Sequence, residues 1–277
     1  MRALALAVAI FGGCLAAFGE AARVFPSGGE IPENLLRFSI SFAAPTAPGV
    51  LERLTLRAAD GTLIAQPFLE QELWSPDGKT LTLLLHPGRV KSGLRAHDEA
   101  GRPLRAGAHV TLNLDGQALK TWRIGPARTE PPYPQCWSVQ PPQAGSRDAV
   151  VVALNAPIDA QAVGYIAIIS ARGEKVKGHA TLAPGESAWR FTPESGWSEG
   201  EYRLLIHPRL EDPQGNALSS RFEQKAGASF SDNAMPAELR FQIGPAAGAQ
   251  SCGDPEVPSH PTRAADRRER AAPTAIK

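Results

Sequence analysis

Cysteine is scarce, with 3 in 277 residues, and neither Cys136 nor Cys252 has a second Cys or His at ligand spacing, which argues against a structural zinc site. Methionine is scarcer still at 2, while Pro at 25 and Gly at 26 punctuate the chain, a balance that favours short strands and turns over long helices. Neither sign of charge dominates. With 29 Lys and Arg against 28 Asp and Glu the formal charge is +1, so nucleic acid is not expected as a partner, nor is a highly acidic substrate. No His-Glu-x-x-His helix and no phosphate-cradling glycine loop occurs. Outside the N-terminus there is no sustained 3.6-residue apolar period, and the C-terminal end carries no apolar anchor.

What is present begins with an export signal. Arg2 is followed by an apolar run from Ala3 to Phe11 and then by small residues, the order of a secretory signal peptide over residues 1–21. Two processing routes are open. A peptidase that favours small residues would cut after Gly19 or Ala21; alternatively Phe11-Gly12-Gly13-Cys14 resembles a lipobox, with Cys14 as the candidate lipidation site and the only route to a membrane. Export to an oxidising compartment makes a Cys136–Cys252 disulfide the expectation. Closing a loop of that size would stabilise the fold by roughly 4 to 5 kcal/mol on the chain-entropy model.

A chain of 277 residues suits two ordinary domains. Short apolar or alternating runs separated by turn residues predict strands at residues 36–42, 51–56, 80–85, 110–114 and 122–124, and again at 150–154, 165–169, 188–191, 202–206 and 239–243. Ser75-Pro76-Asp77-Gly78 reads as a turn feeding Thr80 to Leu85. Pro131-Pro132-Tyr133-Pro134 marks the boundary, which gives a domain over residues 24–128, a proline-rich linker over 129–136, a domain over 137–246 and a disordered tail over 247–277. The two strand sets read as copies. Phe38 to Pro45 aligns with Val150 to Pro157, Leu83-Leu84-Leu85-His86-Pro87 with Leu204-Leu205-Ile206-His207-Pro208, and both sets close on Ile-Gly-Pro at Ile124 and Ile243. An insertion in the first copy falls between Gly88 and His97.

An apolar strand ending in Ala-Pro, then Tyr202 to Ile206 running into Asp212-Pro213-Gln214-Gly215-Asn216, resembles the bacterial immunoglobulin-like domains of surface-layer and other envelope proteins. The first copy departs, with Arg102 in place of the Asn and Leu81 where the aromatic residue would stand. The resemblance implies an all-β chain of two tandem immunoglobulin-like β-sandwiches, serving as a spacer or binding scaffold toward an envelope protein or polysaccharide. It carries no active site and no cofactor.

Candidate chemistry is thin. His86 and His207 each precede a Pro at a strand end, too few for a zinc site. Glu211, Asp212 and Asn216 offer oxygens to Ca²⁺, but Asp and Asn favour such turns by bonding their own backbone. Of five tryptophans, Trp137 and Trp189 are expected in the core; Trp74 and Trp197, beside turn residues, are the candidates for ligand contact, which together with Tyr202 would suit a carbohydrate-binding module. A hydrolase using Glu70, Glu72 or Asp98 would need two carboxylates converging in a cleft. No catalytic, cofactor or metal residue is assigned, and the leading reading is a non-enzymatic envelope or secreted protein. Intact-mass analysis of protein from native envelopes is expected to show a chain starting after residue 19 or 21, with two cysteines alkylated only after reduction. A start at Cys14 with added acyl mass would establish the lipoprotein route instead.

Overall fold

The computed structural model describes residues 22–218, 220, 222 and 235–244. The signal segment with Cys14, the tail and Cys252 lie outside the described residues. Among the described residues fifteen strands form four sheets. In the first half β1 (Arg23–Phe25), β3 (Arg37–Ser41), β6 (Thr80–Leu84) and β5 (Leu73–Trp74) make one sheet in the order β1-β3-β6-β5. The facing sheet, in the order β2-β8-β7-β4, uses β2 (Glu30–Pro32), β8 (Gln117–Gly125), β7 (His109–Leu114) and β4 (Leu54–Ala58). In the second half β9 (Ser138–Gln140), β10 (Val150–Ala153), β13 (Ala188–Pro193) and β12 (Gly178–Leu182) pair in the order β12-β13-β10-β9. They face β11 (Ile166–Ser170), β14 (Gly200–Ile206) and β15 (Ala237–Ile243), in the order β11-β14-β15.

Alternation explains why these segments are strands. Along β13, Trp189 and Phe191 point inward while Arg190 and Thr192 face solvent, so the period of two buries one face and solvates the other. Each half thereby encloses its own apolar core. Trp122 stacks on Phe38 at 4.9 Å in the first, its indole N–H donating to the Pro26 carbonyl at 2.9 Å. In the second, Trp189 is fully buried and donates to the Val163 carbonyl at 3.1 Å, which satisfies the one polar atom of a large side chain. Turn chemistry agrees. Asp115 and Gly116, at φ 52° and 79°, make the two-residue hairpin between β7 and β8, and Gly78 at φ 65° closes the turn before β6.

The strand order defines the fold class. Lettered A to G in chain order, the second half pairs A-B-E-D against C-F-G, the arrangement of an immunoglobulin-type sandwich. Near the start of β14 the Tyr202 hydroxyl donates to the Ser198 carbonyl at 3.1 Å, the corner bond that such sandwiches place at the entry to strand F. The first half repeats the order and adds β2, which runs parallel to β8 and covers its edge.

The topology corrects one repeat landmark. Phe38 and Val150 do begin equivalent B-strand segments, and Ile124 and Ile243 do end equivalent G strands. Leu83-Leu84-Leu85-His86-Pro87, however, ends β6, an E strand, whereas Leu204 to Pro208 ends β14, an F strand. Matching apolar-His-Pro endings mark strand exits in different sheets, so Leu81 was never the counterpart of Tyr202. The insertion after Gly88 forms α1 (Pro87–Val90) and α2 (Arg95–Ala100) between E and F; the long connection of the second half instead joins F to G. Trp189→Ala should lower stability by about 3–5 kcal/mol in urea unfolding, and Tyr202→Phe by about 1 kcal/mol; an unchanged midpoint for Trp189→Ala would contradict the core assignment.

Candidate functional site

The residues singled out from sequence do not assemble into one site. Trp197 is corrected from candidate ligand contact to core: it is 3% exposed, packs edge-on against Tyr202 and donates its N–H to the Asp148 carbonyl at 2.8 Å. Tyr202 is buried with it. Trp74 is half-buried, lies against Phe42 and donates to Glu72 Oε2 at 2.8 Å. Glu72 also accepts from the Gly49 and Leu51 amides; burial raises its pKa, but the bonds from Leu51, Trp74 and Gly49 outweigh that and hold the carboxyl below its ordinary range. It organises a turn. Glu70 and Asp98 stand exposed on a loop and on α2. His86 precedes α1 and His207 stacks on the exposed Tyr165 at 5.3 Å. Among the described residues no three His, Cys, Asp or Glu side chains are grouped to hold a metal ion. Cys136 is exposed on a 3-10 turn (Pro134–Cys136) packed against β15.

Sequence reasoning passed over one motif. Gly196-Trp197-Ser198-Glu199-Gly200 has the letters of a nucleophile elbow, which requires a strand-to-helix turn that exposes the serine to a histidine. Here the segment joins β13 to β14, its Trp is core, and its Ser carbonyl receives the Tyr202 hydroxyl. The letters describe the tyrosine corner.

The densest polar constellation lies where the two sandwiches meet. Arg37, at the first position of β3, carries its guanidinium between Asp159, with Nε 3.4 Å from Oδ2, and Glu211, with which it forms a hydrogen-bonded ion pair. Asp159 is buried and also caps its own 3-10 turn by accepting from the Gln161 amide at 2.7 Å. Beside them the Pro213 carbonyl accepts from both Leu36 N–H at 3.0 Å and Arg37 N–H at 3.2 Å, joining the entry of β3 to the Asp212–Asn216 loop. That loop is held by its own acid. Asp212 is buried, Oδ1 accepts from the Gln214 and Asn216 amides at 2.9 and 2.8 Å, and Oδ2 accepts from Asn216 Nδ2 at 2.9 Å. A turn closed on itself in this way leaves its next carbonyl free to face outward, and the neighbouring domain takes it.

A second contact sits nearby. Glu186, buried and held at φ 52°, accepts the Ser27 amide with both oxygens at 2.9 and 3.1 Å, while Gly185 N–H donates to Ser27 Oγ at 2.8 Å and Lys120 Nζ to the Ser27 carbonyl at 2.7 Å. Burial raises the pKa of Asp159, of Glu186 and of Asp212, the last to about 6, because the charged forms lose water that the surrounding donors only partly replace. Arg37, Glu211, Tyr165 and Arg209 edge an adjoining cleft of about 430 Å³. The chemistry of this region is docking: a cation and two carboxylates, with paired amides, hold one sandwich on the other.

No family model matches the chain, and no curated protein matches it. Among solved structures, domains 5–6 of the surface-layer protein SbsC are 9% identical with a TM-score of 0.24, covering 81% of this chain and 96% of that one. The tandem immunoglobulin repeats of Dlar are 13% identical with a TM-score of 0.24, covering 73% and 95%. A Group B Streptococcus pullulanase is 10% identical with a TM-score of 0.21, covering 62% of this chain and 20% of that one. At these values the likenesses carry no argument, and the fold class rests on strand order and the tyrosine corner.

The raised Asp212 pKa gives a signed expectation. The native state binds this proton more tightly than the unfolded chain, so its contribution is largest below the ordinary Asp pKa and is lost as pH rises toward and past about 6. Between pH 5 and 7 the urea midpoint of wild type should therefore fall relative to that of Asp212→Asn. Parallel midpoints across that range would show that Asp212 does not titrate there.

Proposed function

We propose that the chain is an exported, non-enzymatic protein of the cell envelope or exterior, in which two immunoglobulin-like sandwiches serve as a binding or spacer module of fixed geometry. The observation that carries this reading is the junction: Arg37 between Asp159 and Glu211, with two backbone bonds into Pro213. Tandem domains without a substantial interface move relative to one another by default. An ion pair half out of solvent, backed by amide bonds and by a second contact at Glu186, favours one orientation. Removing Arg37 would leave the buried Asp159 without its cation, which destabilises the junction.

The export assignment rests on the signal-like N-terminus, and the envelope protein or polysaccharide partner on the resemblance of the second sandwich to surface-layer modules. The carbohydrate-platform reading is weakened by the burial of Trp197 and Tyr202. A disulfide from Cys136 remains part of the proposal, since its turn packs against β15 and Cys252 follows Ile243 by only nine positions.

Electron-spin distance measurement tests the rigid module. Nitroxides on Leu63→Cys and Glu174→Cys, in a chain whose native cysteines are serine, should give one narrow distance distribution. Arg37→Ala should broaden it. A broad distribution in the otherwise unchanged protein would mean that the sandwiches are flexibly tethered and would overturn the fixed-geometry reading.

A further inference from the structure

The first sandwich carries a feature that its sister lacks. Its E-to-F connection runs over residues 85–108, against residues 194–199 in the second, and the additional chain folds as α1, α2 and an approach to β7. This insertion faces the loop after β4 across a cleft of about 500 Å³, a volume in the range of small-molecule sites and far below that of a macromolecular interface. Ile64, Pro103, Ala108 and Val110 supply an apolar lining.

Arg89, Arg102, Arg105 and one carboxylate, Asp60, line this cleft, and neither Arg89 nor Arg105 forms an ion pair with a carboxylate among the described residues. Arg89 spans it, Nε donating to the Gly101 carbonyl at 2.9 Å on one wall and Nη1 to the Ala65 and Gln66 carbonyls at 2.7 and 3.0 Å on the other. Its Nη2 reaches the Ala100 carbonyl at 3.5 Å. All four acceptors are neutral, so the guanidinium is oriented but its charge is not cancelled. Arg105 is exposed, and among the described residues its guanidinium has neither a hydrogen bond nor an ion pair. The remaining charges do not compensate. Arg102 pairs with Glu33 at 2.7 Å, and Asp60 accepts the Thr62 amide at 2.9 Å without pairing to either arginine. Burial, and then repulsion from Arg105, press the Arg89 pKa below the ordinary arginine range, although an arginine stays charged at any physiological pH. Gln66, whose carbonyl faces Arg89, is held at φ 43°, a conformation that non-glycine residues adopt at a cost and that gathers at ligand sites.

We propose that this cleft binds a small amphipathic anion, its carboxylate or phosphate head between Arg89 and Arg105 and a short aliphatic tail along Ile64, Pro103 and Val110. The planar fork of Arg105 is free to meet either head by paired N–H···O bonds, while Arg89, with one N–H left after its four carbonyl bonds, adds a fixed charge and a single donor. An anion there relieves the repulsion between two like charges, and the apolar lining rewards a tail that a free inorganic anion does not have. This assignment is independent of the rigid-module reading, since the cleft is built within one sandwich.

Titrations of octanoate, octyl phosphate and octanol into the full chain, below their aggregation limits, followed by amide chemical shifts, test it. Octanoate or octyl phosphate should saturate with shifts confined to residues 58–66, 87–90 and 100–110, and whichever binds more tightly identifies the head. Octanol should bind at least about tenfold more weakly, a difference of about 1.4 kcal/mol. Arg105→Glu, at an exposed and unpartnered position, should weaken the anion at least about tenfold while leaving the urea midpoint unchanged, and Arg105→Lys should weaken it less. Octanol binding as tightly as the anions, anion binding unchanged in Arg105→Glu, or no saturable binding of either anion would each overturn the proposal.

Discussion

One guanidinium at the start of a strand sets the relation between the two halves of this protein. Arg37 occupies a position where the strand's own sheet offers its charge no partner, and Asp159 and Glu211 from the second sandwich supply two. Each of those acids has a second task, Asp159 in capping a turn and Glu211 through a backbone carbonyl that accepts the Asp159 amide at 2.8 Å. The ion pairs are therefore coupled to the local folding of the loops that present them. Such coupling matters more than the gross Coulomb energy, because desolvating three charged groups offsets much of what their attraction contributes. What the arrangement supplies is orientation, with the Pro213 carbonyl and its two amides preventing a slide that charges alone would tolerate.

The same principle recurs at smaller scale. Glu72 gathers two amides and an indole, Asp212 gathers two amides and a carboxamide, and Glu186 binds one amide with both oxygens. In a chain with so many prolines, regular ladders cannot satisfy every loop amide, and buried or half-buried carboxylates take the remainder. By residue type alone Glu72 was a hydrolase candidate and Asp212 a calcium candidate, neither of them assigned. Their oxygens are already occupied by the backbone.

Ten strands were legible because alternation or β-branched runs wrote a period of two into the chain, as in Val150 to Ala153 and Thr80 to Leu84, although the run read as a strand over 51–56 opens as a 3-10 turn (Leu51–Arg53) before β4 begins. The strands that escaped are short or exposed. β12, Gly178-His179-Ala180-Thr181-Leu182, has no face buried deeply enough to require an apolar pattern, and β5 is two residues long. Trp197 was misjudged because its neighbours Ser195 and Ser198 are turn residues, while the pocket it fills is built from distant strands. The junction was illegible for a plainer reason: 174 positions separate Arg37 from Glu211, and no local pattern encodes a partner at that distance. The arginine cleft was hidden likewise, and the break in the repeat between Gly88 and His97 came from matching an E-strand exit to an F-strand exit, so it did not measure the E-to-F insertion that builds the cleft.

The two insertions are also placed with respect to each other. Arg37 pairs with Leu84, so the E-to-F insertion leaves the first sandwich at the end that meets the second. Ile206 pairs with Ala237, so the F-to-G connection bearing Asp212 leaves the second sandwich at the end that meets the first. Lys91 of one insertion lies 5.7 Å over the Phe222 ring of the other. Duplicated modules usually keep one kind of joint, which lets them stack indefinitely. Here the two sandwiches carry their long connections at different loops yet toward a shared seam, so the seam has polarity: a further module of either kind docked elsewhere would find none of these contacts.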